Sequence, residues 1–330
     1  MKIVILGAGA WGTALAISLS ARHQITLWTK DPTHALALAS QRVNQRFFPD
    51  FQLPANIQIT SSLSEALIAS DLALIVVPIA GFRETLRGIV ATETEVPVIW
   101  GCKGFESETS MLPHQILAEE YPGIVPFCGV LSGPSFAEEV AMGLPTALTL
   151  ASKELGFSKK MATELHSARL RIYTSQDIVG VETGGAVKNV ITIAAGISDG
   201  LGFGHNARAA LITRGLMEIT RLGLMLKGSA ETFMGLAGVG DLILTCTGDL
   251  SRNRRVGLML AGGRSLADIL VELGHVAEGV HTAQAVLRLS KELKIEMPIT
   301  QAICSILHDG VPARVAVEVL LNRDQKTEIY

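Results

Sequence analysis

Residues 2–20 read KIVILGAGAWGTALAISLS, and this stretch decides the fold. Lys2-Ile-Val-Ile-Leu6 is a short apolar run of the kind that forms a buried strand. Gly7-Ala-Gly-Ala-Trp-Gly12 follows with no spacer, and Thr13-Ala-Leu-Ala-Ile-Ser-Leu-Ser20 reads as a helix. Strand, G-x-G-x-x-G and helix in that order make the dinucleotide-binding fingerprint. Gly7 permits the tight turn. Gly9, without a Cβ, lets a pyrophosphate approach the backbone, and Gly12 allows the helix to pack close to the sheet. The helix N-terminus adds free N–H groups and partial positive charge for the phosphates.

Bulk properties frame that motif. A chain of 330 residues suggests about two domains, and an apolar fraction of 48% is ample for real cores. The net charge of −3 gives no footprint for a nucleic-acid partner. Cys102, Cys128, Cys246 and Cys304 have no C-x-x-C spacing, which argues for a reducing compartment and against a zinc site. No cluster has metal-ligand spacing, and His205 and His275 read as loop residues. The apolar N-terminus is too short for a signal peptide, and no unbroken run approaches the ~20 apolar residues that span a bilayer. The expectation is a cytoplasmic protein without membrane insertion.

The first half alternates strands and helices. Expected strands are Gln24–Trp28, Asn56–Thr60, Asp71–Val77, Pro97–Trp100, Ile124–Leu131, Thr146–Leu150 and Leu170–Thr174, the last of them antiparallel at one edge. This pattern predicts an α/β fold, a Rossmann-type doubly wound sheet covered on both faces. After about residue 178 strands give way to helical patterns such as 207–226 and 282–293. The expected division is a dinucleotide-binding domain over 1–178 and an all-helical substrate and catalytic domain over 179–330.

The second strand ends at Trp28 and is followed by Thr29, Lys30 and Asp31. An NAD-type acid usually sits at the strand end to bind the ribose 2′-OH. Asp31 lies beyond that place, and Lys30 precedes it. Lys30 is either a partner for a 2′-phosphate or a solvated loop lysine, so NADP(H), NAD(H) or both are expected. No second flavin signature follows.

Four polar clusters sit where elements end. Lys103, in Gly101-Cys-Lys-Gly104, follows a sheet strand and is either an ordinary turn lysine or, as expected here, one that faces the ligand crevice. Ser135 with Glu138, in Leu131-Ser-Gly-Pro-Ser-Phe-Ala-Glu138, reads as a capping box at a helix start. Lys188 and Asn189 interrupt an apolar helix. A lysine among Val187, Val190 and Ile191 is either desolvated, which suits it to general acid–base work, or snorkels from a helix end; the desolvated reading is the expectation. Asp241, between Gly238-Val-Gly240 and an apolar run, needs a partner if buried. Ser251-Arg252-Asn253 offers a hydroxyl, a fork and an amide suited to phosphate, whereas Arg254 and Arg255 read as a solvated face.

With these segments assembled, the chain resembles the bacterial, soluble NAD(P)-dependent glycerol-3-phosphate dehydrogenases. The resemblance rests on GAGAWGTALA at 7–16, CKG at 102–104, LSGPSFAEEV at 131–140, GGAVKNV at 184–190 and ISDGLGFGHNARAALITRG at 197–215. GVGDLILTC at 238–246, SRNRR at 251–255, VAEG at 276–279 and EMPIT at 296–300 continue it. It implies reversible reduction of dihydroxyacetone phosphate to sn-glycerol 3-phosphate for glycerophospholipid synthesis, with a homodimer left open. It further implies that Lys188 is the proton donor and acceptor, with Asp241 orienting it. Lys103, Gly133, Ser135, Asp241, Ser251, Arg252 and Asn253 match substrate contacts. Ala10, Trp11, Lys30, Lys103, Ala137, Arg252, Val276 and Glu278 match cofactor contacts. One departure is Val77-Pro78-Ile79 where the family often has Val-Pro-Ser, which removes a hydroxyl beside the cofactor path. Two other readings remain at this stage: a dehydrogenase of similar architecture acting on β-hydroxy acids, and a non-catalytic cofactor sensor.

Overall fold

The computed structural model describes residues 1–274 and 277–324, with the backbone alone at Val125 and Pro126. Its strands are β1 (Lys2–Leu6), β2 (Gln24–Trp28), β3 (Val43–Asn44), β4 (Phe48–Gln52), β5 (Gln58–Thr60), β6 (Leu72–Ile75), β7 (Val98–Trp100), β8 (Cys128–Ser132), β9 (Thr146–Ala151) and β10 (Leu170–Ser175). Eight of them form one sheet in the order β10-β9-β8-β7-β6-β1-β2-β5. The run from β5 to β8 is parallel. β8 pairs antiparallel with β9, which pairs parallel with β10, so the last two strands run opposite to the rest. Strands β6, β7 and β8 are buried throughout, as strands covered on both faces must be. The chain crosses from β1 to β2 on one side and reaches β6 on the other. This reversal opens a crevice at the carboxyl ends of β1 and β6.

The fingerprint glycines are constrained in three different ways. Gly7 has φ +121°, and a Cβ there would lie 3.0 Å from the backbone of Val76 and Val77. A Cβ on Gly12 would lie 1.9 Å from the Gly7 carbonyl oxygen. Gly9 meets nothing within 4 Å; its missing side chain leaves open space at the start of helix Ala10–Leu19.

The helical part is built around helix Ile178–Gly200, of which 20 of 23 residues are buried. Helix Arg252–Ala261 crosses it at backbone contact. A Cβ on Gly196 would lie 2.1 Å from the Arg254 oxygen, and one on Gly257 would lie 2.1 Å from the Ile193 oxygen. Helix Ile178–Gly200 is long and apolar enough on average to cross a membrane, although Glu182, Lys188 and Asn189 interrupt its apolar run, as the sequence shows, and 94% of its apolar window is buried inside the protein. It is the core of the helical half.

One element was not expected at all, and three local expectations need correction. The hairpin β3–β4 has no clear signal, because β3 is two residues long and β4 contains Pro49. The expected strand from Ile124 starts only at Cys128. A 3-10 segment, Pro122–Phe127, precedes it, with Pro122 fixing φ at its first position. Ser135 and Glu138 form no capping box. The helix starts at Ala137 with Phe136 as its N-cap, so Glu138 falls one position too early, and the Ser135 hydroxyl donates instead to the Gly133 carbonyl at 3.2 Å. His205 lies in the first turn of helix Gly204–Met225 rather than in a loop, and Arg208 donates to its Nδ1 at 2.7 Å. His275 lies outside the described residues.

Candidate active site

At the junction of sheet and helices two lysines grip one carboxylate. Lys188 Nζ donates to Asp241 Oδ1 at 2.5 Å and to Thr245 Oγ1 at 2.7 Å, and Lys103 Nζ donates to Asp241 Oδ2 at 2.6 Å. The Asp241 and Lys188 side chains are 1% and 8% exposed, whereas that of Lys103 is 19% exposed. Each element delivers its residue for a local reason. Lys103 follows the end of β7, and its stem lies across Gly185, whose ideal Cβ would touch it at 3.6 Å. Lys188 projects from the buried central helix. Asp241 follows a π-helical turn, Leu236–Gly240, which packs so tightly that a Cβ on Gly184 would lie 2.5 Å from the Ala237 oxygen. Such turns re-aim side chains at functional sites.

The electrostatics resolve the competition at Lys188. Burial pushes its amine down to about 8, against the pull of Asp241, and Lys103 adds to the downward push. Burial also disfavours the Asp241 carboxylate, but the adjacent Lys103 and Lys188 outweigh it and hold its pKa below the ordinary value. The site therefore holds a buried carboxylate that stays charged beside an amine poised to give or take a proton near neutral pH.

A polar rim adjoins the cluster. Asn253 Nδ2 donates to Asn189 Oδ1 at 3.0 Å, while its own Oδ1 accepts from the Gly279 N–H at 3.2 Å. Ser251 caps helix Arg252–Ala261 and accepts from Arg254 N. Arg252 is exposed and makes no hydrogen bond or ion pair among the described residues. Glu278 opens helix Glu278–Glu292. Burial pushes its carboxyl up to about 7, with Lys103, Lys188 and Arg252 pulling the other way. Gly133 (φ +141°) and Ser135 flank Pro134, whose ring lies 3.7 Å from the ideal Cβ of Gly240. This places the β8 loop against the Asp241 turn.

Arg254 is not part of a solvated face. It is 12% exposed and pairs with Asp199 through Nε at 3.0 Å and Nη2 at 2.7 Å, while Arg208 reaches the same oxygen at 3.0 Å. Its partner lies 55 residues away, so the local run SRNRR gives no hint of it. Arg255 is exposed as expected. Thr245 was not singled out by sequence reasoning. The i, i+4 spacing from Asp241 on one short helix is the signal that would have found it.

The crevice fits a dinucleotide. The open space at Gly9 and the absence of any side-chain cap on helix Ala10–Leu19 leave its first turn, Ala10 and Trp11, free for an anion. Trp11 Nε1 lies 3.3 Å from the ideal Cβ of Gly101, and Ala137 packs with Ala10 and Trp11 in a small apolar cluster under Phe48. Ile79 is buried, and its Cγ2 lies 3.2 Å from the ideal Cβ of Gly104, so it packs against the Lys103 loop. Lys30 stands apart from the lysine cluster, exposed at the end of β2, with Glu84 at 3.5 Å. Val276 lies outside the described residues.

Fold and site together define a dehydrogenase class: a Rossmann-type sheet for a nicotinamide dinucleotide joined to a helical half that carries a buried lysine paired with an aspartate. Residues 2–158 match the N-terminal and residues 177–318 the C-terminal profile of NAD-dependent glycerol-3-phosphate dehydrogenase. The chain belongs to this family. It is 66% identical over 334 residues to glycerol-3-phosphate dehydrogenase [NAD(P)+] of Nitrosospira multiformis and 58% identical over 328 residues to that of Nitrosomonas eutropha; these alignments cover at least 99% of each chain. A crystal structure of glycerol-3-phosphate dehydrogenase from Coxiella burnetii is similar at a TM-score of 0.94 and 42% identity, covering 98% of this chain and 99% of that one.

Proposed function

We propose that the chain reversibly reduces dihydroxyacetone phosphate to sn-glycerol 3-phosphate with NADPH or NADH, supplying glycerophospholipid synthesis in the cytoplasm. The observation that carries this is the Lys103–Asp241–Lys188 cluster at the mouth of the dinucleotide crevice. When bound, the reduced nicotinamide supplies the hydride. The Lys188 ammonium supports negative charge on the C2 carbonyl oxygen and then delivers a proton to it. In the reverse direction the neutral amine takes the proton back. Asp241 and Thr245 fix the amine, and Asp241 holds its charge. Lys103, Gly133 and Ser135 orient the ketone end. Ser251, Arg252 and Asn253 hold the phosphate, Arg252 as an unengaged fork and Asn253 fixed by Asn189. Gly7, Gly9, Ala10, Trp11, Gly12, Lys30, Ala137, Val276 and Glu278 are assigned to the cofactor.

The division into 1–178 and 179–330 belongs to the same proposal; β10 ends at Ser175 and the central helix starts at Ile178. A homodimer is the assembly to test, by light scattering. The decisive assay is NADPH oxidation at about neutral pH with dihydroxyacetone phosphate, run beside 3-hydroxy acids and NADP+. Turnover of the phosphorylated ketone alone supports the proposal, and turnover of the hydroxy acids alone rejects it.

A further inference from the structure

We propose that Arg46, at the tip of the β3–β4 hairpin, makes the protein prefer NADP(H), by pairing with a phosphate on the adenosine ribose. This rests on the dinucleotide assignment above. An acid just past β2 would bind the ribose diol and repel a phosphate. Here Asp31 turns back to cap helix Pro32–Gln41, its Oδ1 accepting from Thr33 N at 3.0 Å and His34 N at 3.2 Å. Arg46 Nη1 lies 3.7 Å from the other oxygen, Oδ2. Arg46 therefore lies beside the acid in space, while Lys30 precedes it in sequence with its ammonium turned to Glu84; the two side chains are 61% and 73% exposed.

The hairpin is registered on the phosphate turn itself. Asn44 is fully buried, and its Nδ2 donates to the Ala8 carbonyl at 3.0 Å and to Thr13 Oγ1 at 2.8 Å. Its Oδ1 accepts from Phe47 N at 3.3 Å and lies 3.1 Å from His34 Nε2. Phe48 and Phe51 stack at 4.4 Å, and Phe48 packs on Ala14 of the first helix. On that base the Phe47 ring carries the Arg46 guanidinium 4.9 Å from its centroid, with His34 edge-on at 5.4 Å. The fork is thus supported from beneath beside the strand end where the ribose is read. Each cation already faces one acid, Lys30 Glu84 at 3.5 Å and Arg46 Asp31 at 3.7 Å, but a planar guanidinium grips phosphate through two parallel hydrogen bonds, whereas the Lys30 ammonium is a point charge. Arg46, not Lys30, is the dominant reader.

The test is calorimetric titration of the wild type, Arg46→Ala, Arg46→Lys and Lys30→Ala with 2′,5′-ADP and with 5′-AMP, which differ only by the 2′-phosphate. Arg46→Ala should weaken 2′,5′-ADP by about tenfold or more and 5′-AMP by less than about twofold. Arg46→Lys should recover part of the loss, and Lys30→Ala should cost less than Arg46→Ala. The KM for NADPH should rise by a similar factor, with kcat and Tm unchanged. Equal weakening of both nucleotides, no weakening, or a larger loss in Lys30→Ala would overturn the proposal. The titration needs no substrate, so a failure of dihydroxyacetone phosphate turnover refutes only the reaction proposed above. A wild type that binds neither nucleotide overturns the dinucleotide assignment instead.

Discussion

Replacing Asp241 by asparagine should move the pH at which ketone reduction fails. In the native site burial, opposed by Asp241, sets the Lys188 amine at about 8. A donor with that pKa is about 90% charged near pH 7 and about 10% charged near pH 9. Reduction should therefore fall roughly tenfold per pH unit above the break, and the reverse oxidation should rise through the same range. Asparagine keeps the size and one acceptor but removes the charge whose oxygen lies 2.5 Å from Nζ. An opposite charge at such range shifts a pKa by about 1–3 units. Without it the Lys188 pKa should drop by that amount, leaving between about half and about one hundredth of the amine charged near pH 7. Single-turnover NADPH oxidation, followed from about pH 5.5 to about pH 9.5, reads the break directly. The variant should lose rate at neutral pH and regain part of it toward acid. A profile that drops uniformly but still breaks near the wild-type pH would refute the view that Asp241 governs the charge on Lys188.

Three further outcomes follow from the same geometry. Lys188→Ala should lower kcat for dihydroxyacetone phosphate by about 10²-fold or more while NADPH still quenches protein fluorescence with a near-native Kd; a near-native kcat would remove it from the mechanism. Arg252→Ala should raise the KM for dihydroxyacetone phosphate by about tenfold or more, a larger effect than on NADPH, and an unchanged value would reassign the unengaged guanidinium. Gly9→Ala should leave Tm near native and weaken both nucleotides, because its Cβ enters open space, whereas Gly12→Ala should cost about 1–3 kcal/mol or more by thermal melting, because its Cβ meets the Gly7 oxygen.

Local chemistry made much of the fold legible. The chain must turn at Gly7, and the apolar stretches near Leu72–Ile75 and Val98–Trp100 have only one compact arrangement, a doubly covered sheet. The residue types at the site were legible for the same reason: a lysine among Val187, Val190 and Ile191 and an acid after Gly240 are out of place unless paired. Their partners were not. Asp241 lies 138 residues from Lys103 and 53 from Lys188, and Asp199 lies 55 from Arg254, separations that no local pattern encodes. The Ser135 misreading has the opposite cause. A four-residue motif was present, but the helix began one residue later than the motif requires. The β3–β4 hairpin escaped notice because what holds it is the Asn44 side chain and the Phe48–Phe51 stack, not strand pattern.

The most direct measurement is a crystal structure with NADP+ and sn-glycerol 3-phosphate bound together. Lys188 Nζ should lie about 3 Å from the C2 hydroxyl oxygen, within hydrogen-bond reach, with the nicotinamide ring on the opposite face of that carbon and the phosphate against Arg252 and Asn253. An amine still bound only to Asp241 and Thr245, with the substrate oxygen beyond the reach of its protons, would contradict the account.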